Sequence, residues 1–212
     1  MTKLANTIKS FSESFPLTSL FSISRGTKTT ADVVRVEVND GMHTGQGECV
    51  PYARYGESLE SVRQQIDQLD QNINRAELQQ ALPAGAARNA IDCALWDLEA
   101  KQTQTPVWQL AGLSKPKSVT TAYTISLDTP EAMLETAKNE CHRPLLKIKL
   151  GTPNDIDRLI AVRQGAPNSR IIVDANEGWS PHDLKSISPE LTSLGVELIE
   201  QPLPESDQSP RG

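Results

Sequence analysis

Lys147-Ile148-Lys149, Asp174-Ala175-Asn176 and Glu200-Gln201-Pro202 each close a short apolar run: Leu145-Leu146, Ile171-Ile172-Val173 and Val196-Glu197-Leu198-Ile199 respectively. Charged groups placed this way mark strand ends that carry chemistry. Their spacing is regular, with Lys149 to Asp174 25 residues and Asp174 to Glu200 26. Thr124, which closes the strand-like run Val119-Thr120-Thr121-Ala122-Tyr123, lies a further 25 residues before Lys149. Such a period holds one strand, one helix and two loops, the repeat of a parallel α/β barrel.

The helices between these strands announce themselves by a hydroxyl residue followed by proline: Thr129-Pro130, Thr152-Pro153 and Ser180-Pro181. A hydroxyl at the N-cap accepts an orphan N–H, and proline at the first helical position has none to leave unsatisfied. From Val119 onward the chain thus reads βαβαβαβ. Strand ends facing one way put Thr124, Lys147, Lys149, Asp174 and Glu200 around one mouth, the C-terminal face on which barrels of this kind place their sites.

Bulk properties narrow the class. The 212 residues allow one large or two small domains, and a formal net charge of −6 gives no electrostatic footprint for nucleic acid. No stretch approaches the ~20 apolar residues of a membrane span, and the start Met1-Thr2-Lys3-Leu4-Ala5-Asn6 lacks the apolar core of a secretory signal, so a cytoplasmic location is expected. Cys49, Cys93 and Cys141 are widely spaced, neither a disulfide framework nor a zinc pattern, and are read as reduced.

The front of the chain has a different texture. Val33, Val34, Val36 and Val38 with Arg35 and Glu37 predict a strand, the second of two joined by a loop that carries Arg25. Asp40-Gly41 and Gly45-Gln46-Gly47-Glu48 have hairpin-turn chemistry; no third glycine follows, which argues against a nucleotide loop. Ser58 caps a predicted helix reaching Leu69, a second covers Arg75 to Leu82, and a third covers Ala86 to Gln102 with Ile91, Ala94, Leu95 and Leu98 at helical spacing. Trp96 and Trp108 read as packing. Turn residues around Pro116 place a boundary between domains at 1–115 and 116–212.

Side chains two apart on a strand share a face, so Lys147 and Lys149 point the same way. Leu146, Ile148 and Leu150 take the alternate positions facing the helices, which leaves both lysines looking into the barrel. Mutual repulsion, desolvation and a nearby metal each push an ammonium below its reference pKa of ~10.4, toward what a general base needs. Asp174 and Glu200 end adjacent strands. Two such acids either pair with the lysines or hold a cation, and hard oxygen ligands favour Mg²⁺. The second arrangement suits a carboxylate substrate held by Mg²⁺, with Lys149 removing the proton alpha to it.

These residues resemble those of the enolase superfamily, muconate-lactonizing subgroup, and within it the dipeptide epimerases of the L-Ala-D/L-Glu type. The matching strings are Lys147-Ile148-Lys149, Val173-Asp174-Ala175-Asn176-Glu177-Gly178-Trp179 and Leu198-Ile199-Glu200-Gln201-Pro202-Leu203-Pro204. In the front half Ile23-Ser24-Arg25-Gly26, Pro51-Tyr52-Ala53-Arg54-Tyr55-Gly56-Glu57-Ser58 and Asp92-Cys93-Ala94-Leu95-Trp96-Asp97-Leu98 agree, and the second of these favours dipeptide epimerases over muconate cycloisomerases or N-acylamino acid racemases.

The resemblance implies an α+β capping domain followed by a (β/α) barrel of the TIM type. It implies Lys149 as base, with Lys147 and Thr124 contacting substrate. Arg25 would reach toward the glutamate part of a dipeptide, Asp174 and Glu200 would bind Mg²⁺, and the role would lie in metabolism of murein-derived peptides. In the family a third metal carboxylate and a second catalytic lysine lie on later strands, which have no counterpart here. The expectation is therefore an incomplete barrel, truncated after its fourth strand. As a dipeptide epimerase it would be inactive or severely impaired, or else a non-catalytic relative whose exposed sheet edge joins a second copy as a homo-oligomer.

Overall fold

Alternation of Val34, Val36 and Val38 with Arg35 and Glu37 buries one face of a strand at a period of two, and all three valines are fully buried. They lie on the central strand of a three-stranded sheet ordered β1 (Thr7–Ile23), β2 (Gly26–Asn39) and β3 (Thr44–Cys49). The computed structural model describes residues 6–23 and 26–205. The chain divides into two compact units, Met1–Pro16 with Thr30–Lys117, and Leu17–Thr29 with Ser118–Gly212.

In the first unit a 3₁₀ turn (Ala53–Tyr55) is followed by α1 (Leu59–Asp67), α2 (Arg75–Ala81), α3 (Ala86–Thr103) and the single-turn α4 (Val107–Leu110). The starts of α1 and α2 are dictated locally. Ser58 Oγ accepts from the Ser61 amide and Ser61 Oγ from the Ser58 amide, and Asn74 with Glu77 does the same. The N-cap of α3 is Gly85, without a side chain, and Glu57 serves instead, accepting from the Ala86 amide at 2.7 Å and the Tyr52 amide at 3.1 Å.

Gly45 and Gly47 depart from the turn role expected of them. Both lie inside β3, paired with Val38 and Val36. A methyl group at Gly47 would collide with the Ala90 carbonyl of α3, and one at Gly45 with the Ala94 carbonyl and Leu98. The glycines let the helix backbone approach the strand, and Ala90 and Ala94 are fully buried there. The turn lies earlier, where Asp40 accepts from the amides of Met42 (2.8 Å) and His43 (2.7 Å).

These amides and the Gln102 side chain hold the Asp40 carboxyl far below its ordinary value of 3.8. A depressed folded-state pKa contributes stability above the unfolded value that is lost as pH falls toward the folded one. Thermal unfolding from pH 6 to pH 2 should therefore show a stability loss beginning near pH 4. Asp40→Asn should flatten that part of the curve, and an unchanged profile in the variant would count against the turn as the source.

The second unit alternates β4 (Tyr123–Ile125), α5 (Pro130–Asn139), β5 (Leu145–Lys149), α6 (Asp155–Gly165), β6 (Arg170–Asp174), α7 (Pro181–Ser193) and β7 (Val196–Glu200). The four strands are parallel and ordered as in the chain. Leu146, Ile148, Leu150, Ile171 and Val173 are fully buried in one core cluster with Met133, Leu159, Val162 and Leu191 of the helices.

Three sequence expectations shift. Strand β4 covers three residues rather than the run from Val119, which is 85% exposed. Thr129 and Ser180 cap α5 and α7 as read, but α6 starts at Asp155, two residues after Pro153, because the Asp155 carboxylate turns back onto the amides of Gly151 and Thr152. The register slips between Ile171 and Ile172, so Glu197 is an extra residue in β7. That bulge accounts for a repeat of 26 after one of 25, and Glu197 pairs with Arg170 at 2.6 Å. Cys49, Cys93 and Cys141 are free, and no helix of the described residues is long and apolar enough to cross a membrane.

Candidate active site at the strand ends

Lys149, Asp174 and Glu200 lie in one row across β5, β6 and β7, and Thr124 is in register with Lys147 one pleat earlier. With Leu146, Ile148 and Leu150 buried against the helices, the lysines occupy the opposite face of the sheet. Asp174, 1% exposed, is the hub of the row. Its Oδ2 accepts from Lys149 Nζ at 2.7 Å and lies 3.0 Å from Lys147 Nζ, while Oδ1 accepts from the Asn176 amide at 2.9 Å. Lys147 Nζ also donates to Glu200 Oε2 at 2.5 Å.

Burial works against the charge of both partners, and the ion pairs outweigh it. Desolvation alone would lower the Lys147 pKa, but the hydrogen bonds to Glu200 and Asp174 raise it above the ordinary lysine value. The downward push expected for a lysine in this pair is reversed at Lys147, because two acids face it. For Asp174 desolvation would raise the carboxyl, and the bonds from Lys149, Lys147 and the Asn176 amide hold it below its ordinary value.

Two residues complete the setting of Lys149. Asn176 Oδ1 accepts from Lys149 Nζ at 3.1 Å, and the Phe21 ring centroid lies 5.6 Å from the same nitrogen, within reach of a cation–π contact. Asn176 has a left-handed backbone (φ 48°), a conformation asparagine tolerates better than most residues, and its amide group donates to Gln201 Oε1 at 3.3 Å. Asn176 follows the strand end in the sequence, and nothing in the local pattern assigns it a role. Phe21 carried no signal, since only folding brings β1 near β5. Arg25 lies outside the described residues.

Residues 5–112 match the family described as mandelate racemase / muconate lactonizing enzyme, N-terminal domain, and residues 131–211 match the enolase C-terminal domain-like family. The chain belongs to the mandelate racemase / muconate lactonizing enzyme family of the enolase superfamily. Within it the chain is 44% identical over 209 residues to the L-Ala-D/L-Glu epimerase of Escherichia coli (strain K12), covering 96% of this chain and 65% of that protein. It is also 44% identical over 178 residues to the N-acetyl-D-glutamate racemase of a Pseudoalteromonas species, covering 81% of this chain and 56% of the relative.

Among solved structures of this superfamily, a member from Agrobacterium tumefaciens with bound sodium and L-Ala-L-Glu superimposes with a TM-score of 0.87 at 47% identity, over 94% of this chain and 62% of that one. A dipeptide epimerase from Cytophaga hutchinsonii, complexed with Mg and D-Ala-L-Val, gives 0.86 at 25% identity, over 96% and 60%. The chain thus spans about two thirds of the length of these relatives or less. By this likeness the chain comprises an N-terminal capping domain and, among the described residues, four strands of the barrel.

The donor chemistry at the row fits the divalent cation of this superfamily. Asp174 and Glu200 offer hard carboxylate oxygens from neighbouring strand ends, and Mg²⁺ is commonly held by one or two carboxylates with water and substrate completing its shell. No cluster of three acidic, histidine or cysteine side chains able to hold a metal occurs among the described residues.

Proposed function

We propose that this chain carries the base-bearing part of an epimerase site for dipeptides of the L-Ala-Glu type. The reading rests on one observation: the row Lys149, Asp174, Glu200, with Lys147 beside it, in a chain 44% identical to a protein named L-Ala-D/L-Glu epimerase. In this reading Asp174 and Glu200 would hold Mg²⁺, which would supply positive charge to the substrate carboxylate. Lys147 and Thr124 orient that carboxylate, and Lys149 takes the proton from the adjacent carbon. Arg25 contacts the glutamate side chain.

Inversion at carbon needs a proton donor on the face opposite the base. The described residues place Lys147 and Lys149 on the same face of the sheet, so a chain of these 212 residues should show absent or severely impaired epimerisation while retaining slow exchange of one α-proton. The N-acetyl-D-glutamate racemase likeness favours a second reading, and the two share a chemistry, since L-Ala-L-Glu and N-acetylglutamate are both glutamates acylated on nitrogen.

The test is ¹H NMR in D₂O with Mg²⁺. Loss of the glutamate α-proton signal from L-Ala-L-Glu without appearance of the epimer is expected. Faster exchange on N-acetylglutamate would select the second reading. Rapid conversion to the epimer by the 23.2 kDa chain would overturn the one-sided site.

A further inference from the structure

Asp155 is a buried carboxylate, 5% exposed, that the proposed reaction does not use. It stands at the first position of α6, and its oxygens take hydrogen bonds from three directions. The Gly151 amide donates to Oδ2 at 2.7 Å, the Thr152 amide at 3.1 Å and the Trp179 indole Nε1 at 2.8 Å. Gly151 and Thr152 belong to the loop that leaves Lys149, and Trp179 ends the turn that leaves Asp174. One carboxylate therefore hooks together the two loops on which the lysine–aspartate row depends.

The turn it holds is conformationally costly. Asn176 and Glu177 are both left-handed, at φ 48° and 64°, and neither is glycine. Such residues are strained and persist where surrounding contacts over-determine them. The Glu177 amide bonds to the Gln201 carbonyl at 2.7 Å and the Trp179 amide to the Pro202 carbonyl at 3.2 Å, which ties the turn to the segment that follows β7 on one side. The bond from Trp179 to Asp155 ties it on the other. Asn176 opens the same turn just before Glu177; its amide donates to Asp174 Oδ1 at 2.9 Å, its side-chain nitrogen to Gln201 Oε1 at 3.3 Å, and its Oδ1 meets the Lys149 ammonium.

We propose that Asp155 is a positioning residue: acting through Trp179, it keeps the 175–179 turn wound so that Asn176 holds the Lys149 ammonium at the strand end. This rests on the reading of Lys149 as the base, which gives its placement a purpose. A backbone amide and an indole N–H both need an acceptor here, and an ionised carboxylate is the side chain that accepts from several donors at once.

The test uses the full chain and the variants Trp179→Phe, which keeps an aromatic ring and removes the indole donor, and Asp155→Asn, which turns one acceptor into a donor. Lysines are acetylated competitively under trace-labelling conditions and quantified residue by residue by tandem mass spectrometry. Lys101 and Lys138, both exposed, are the internal standards.

In both variants the labelling rate of Lys149 should rise by about tenfold, the low end of what a hydrogen bond to a charged group is worth, with the standards unchanged. A Lys149 rate that stays at the wild-type value, or rises only in step with Lys101 and Lys138, would overturn the proposal. Loss of cooperative unfolding in both variants would also overturn it, since the bond would then be supporting the whole unit rather than the turn. Labelling does not depend on turnover, so an inactive chain leaves this result standing, and a negative labelling result leaves the epimerase reading untouched.

Discussion

Lys149→Met is expected to lower exchange of the substrate α-proton with D₂O by about 10²–10⁴-fold, the range a positioned general base supplies. The variant should remain folded. Asp174 keeps the Lys147 ammonium at 3.0 Å and the Asn176 amide at 2.9 Å, so the buried carboxylate is not left without partners. Lys147→Met is the control that separates the two lysines. A residue that orients the carboxylate should raise the substrate concentration needed for half-maximal exchange more than it lowers the limiting rate. Equal loss of limiting rate in both variants would remove the distinction between base and neighbour, and an unchanged rate in Lys149→Met would remove the base.

Much of the frame behind this expectation is legible in the residues. Capping at Ser58, Thr129 and Ser180 is a matter of three or four neighbouring residues, so short-range chemistry settles it. The facing of Lys147 and Lys149 follows from the apolar residues between and beside them. What escaped depends on contacts that the residue pattern alone does not announce. Gly45 and Gly47 look like turn residues until α3 lies against them. The Thr152-Pro153 pair looks like a helix start until Asp155 claims the amides around it. Strand β4 covers only the three residues that pair with β5 among the described residues, and Val119 upstream of it is exposed. The bulge at Glu197 was visible as a repeat of 26 after one of 25, but only the ladder shows which residue is extra.

Asp174→Ala should cost about 3–5 kcal/mol of stability, because it removes one partner of a buried ion pair and leaves the other buried. The geometry says which charge is left over. Lys147 retains Glu200, whose side chain is 41% exposed, whereas Lys149 would keep, among the described residues, the neutral oxygen of Asn176 and the Phe21 ring. Lys149→Met should therefore rescue much of the loss in the double variant, since the orphaned ammonium is then gone. The coupling between the two substitutions would fall well outside the few tenths of a kcal/mol seen for independent sites. Urea unfolding followed by circular dichroism measures all four corners of that cycle. Additive losses would mean that Lys149 and Asp174 do not depend on each other, and the row would then be a set of neighbours rather than one electrostatic unit. A strong coupling would have a functional side as well. The carboxylate that a divalent cation would use is the one that neutralises the proposed base, so cation binding at Asp174 and the hydrogen bonding of Lys149 would compete for the same oxygen, Oδ2, unless the cation takes Oδ1 from the Asn176 amide.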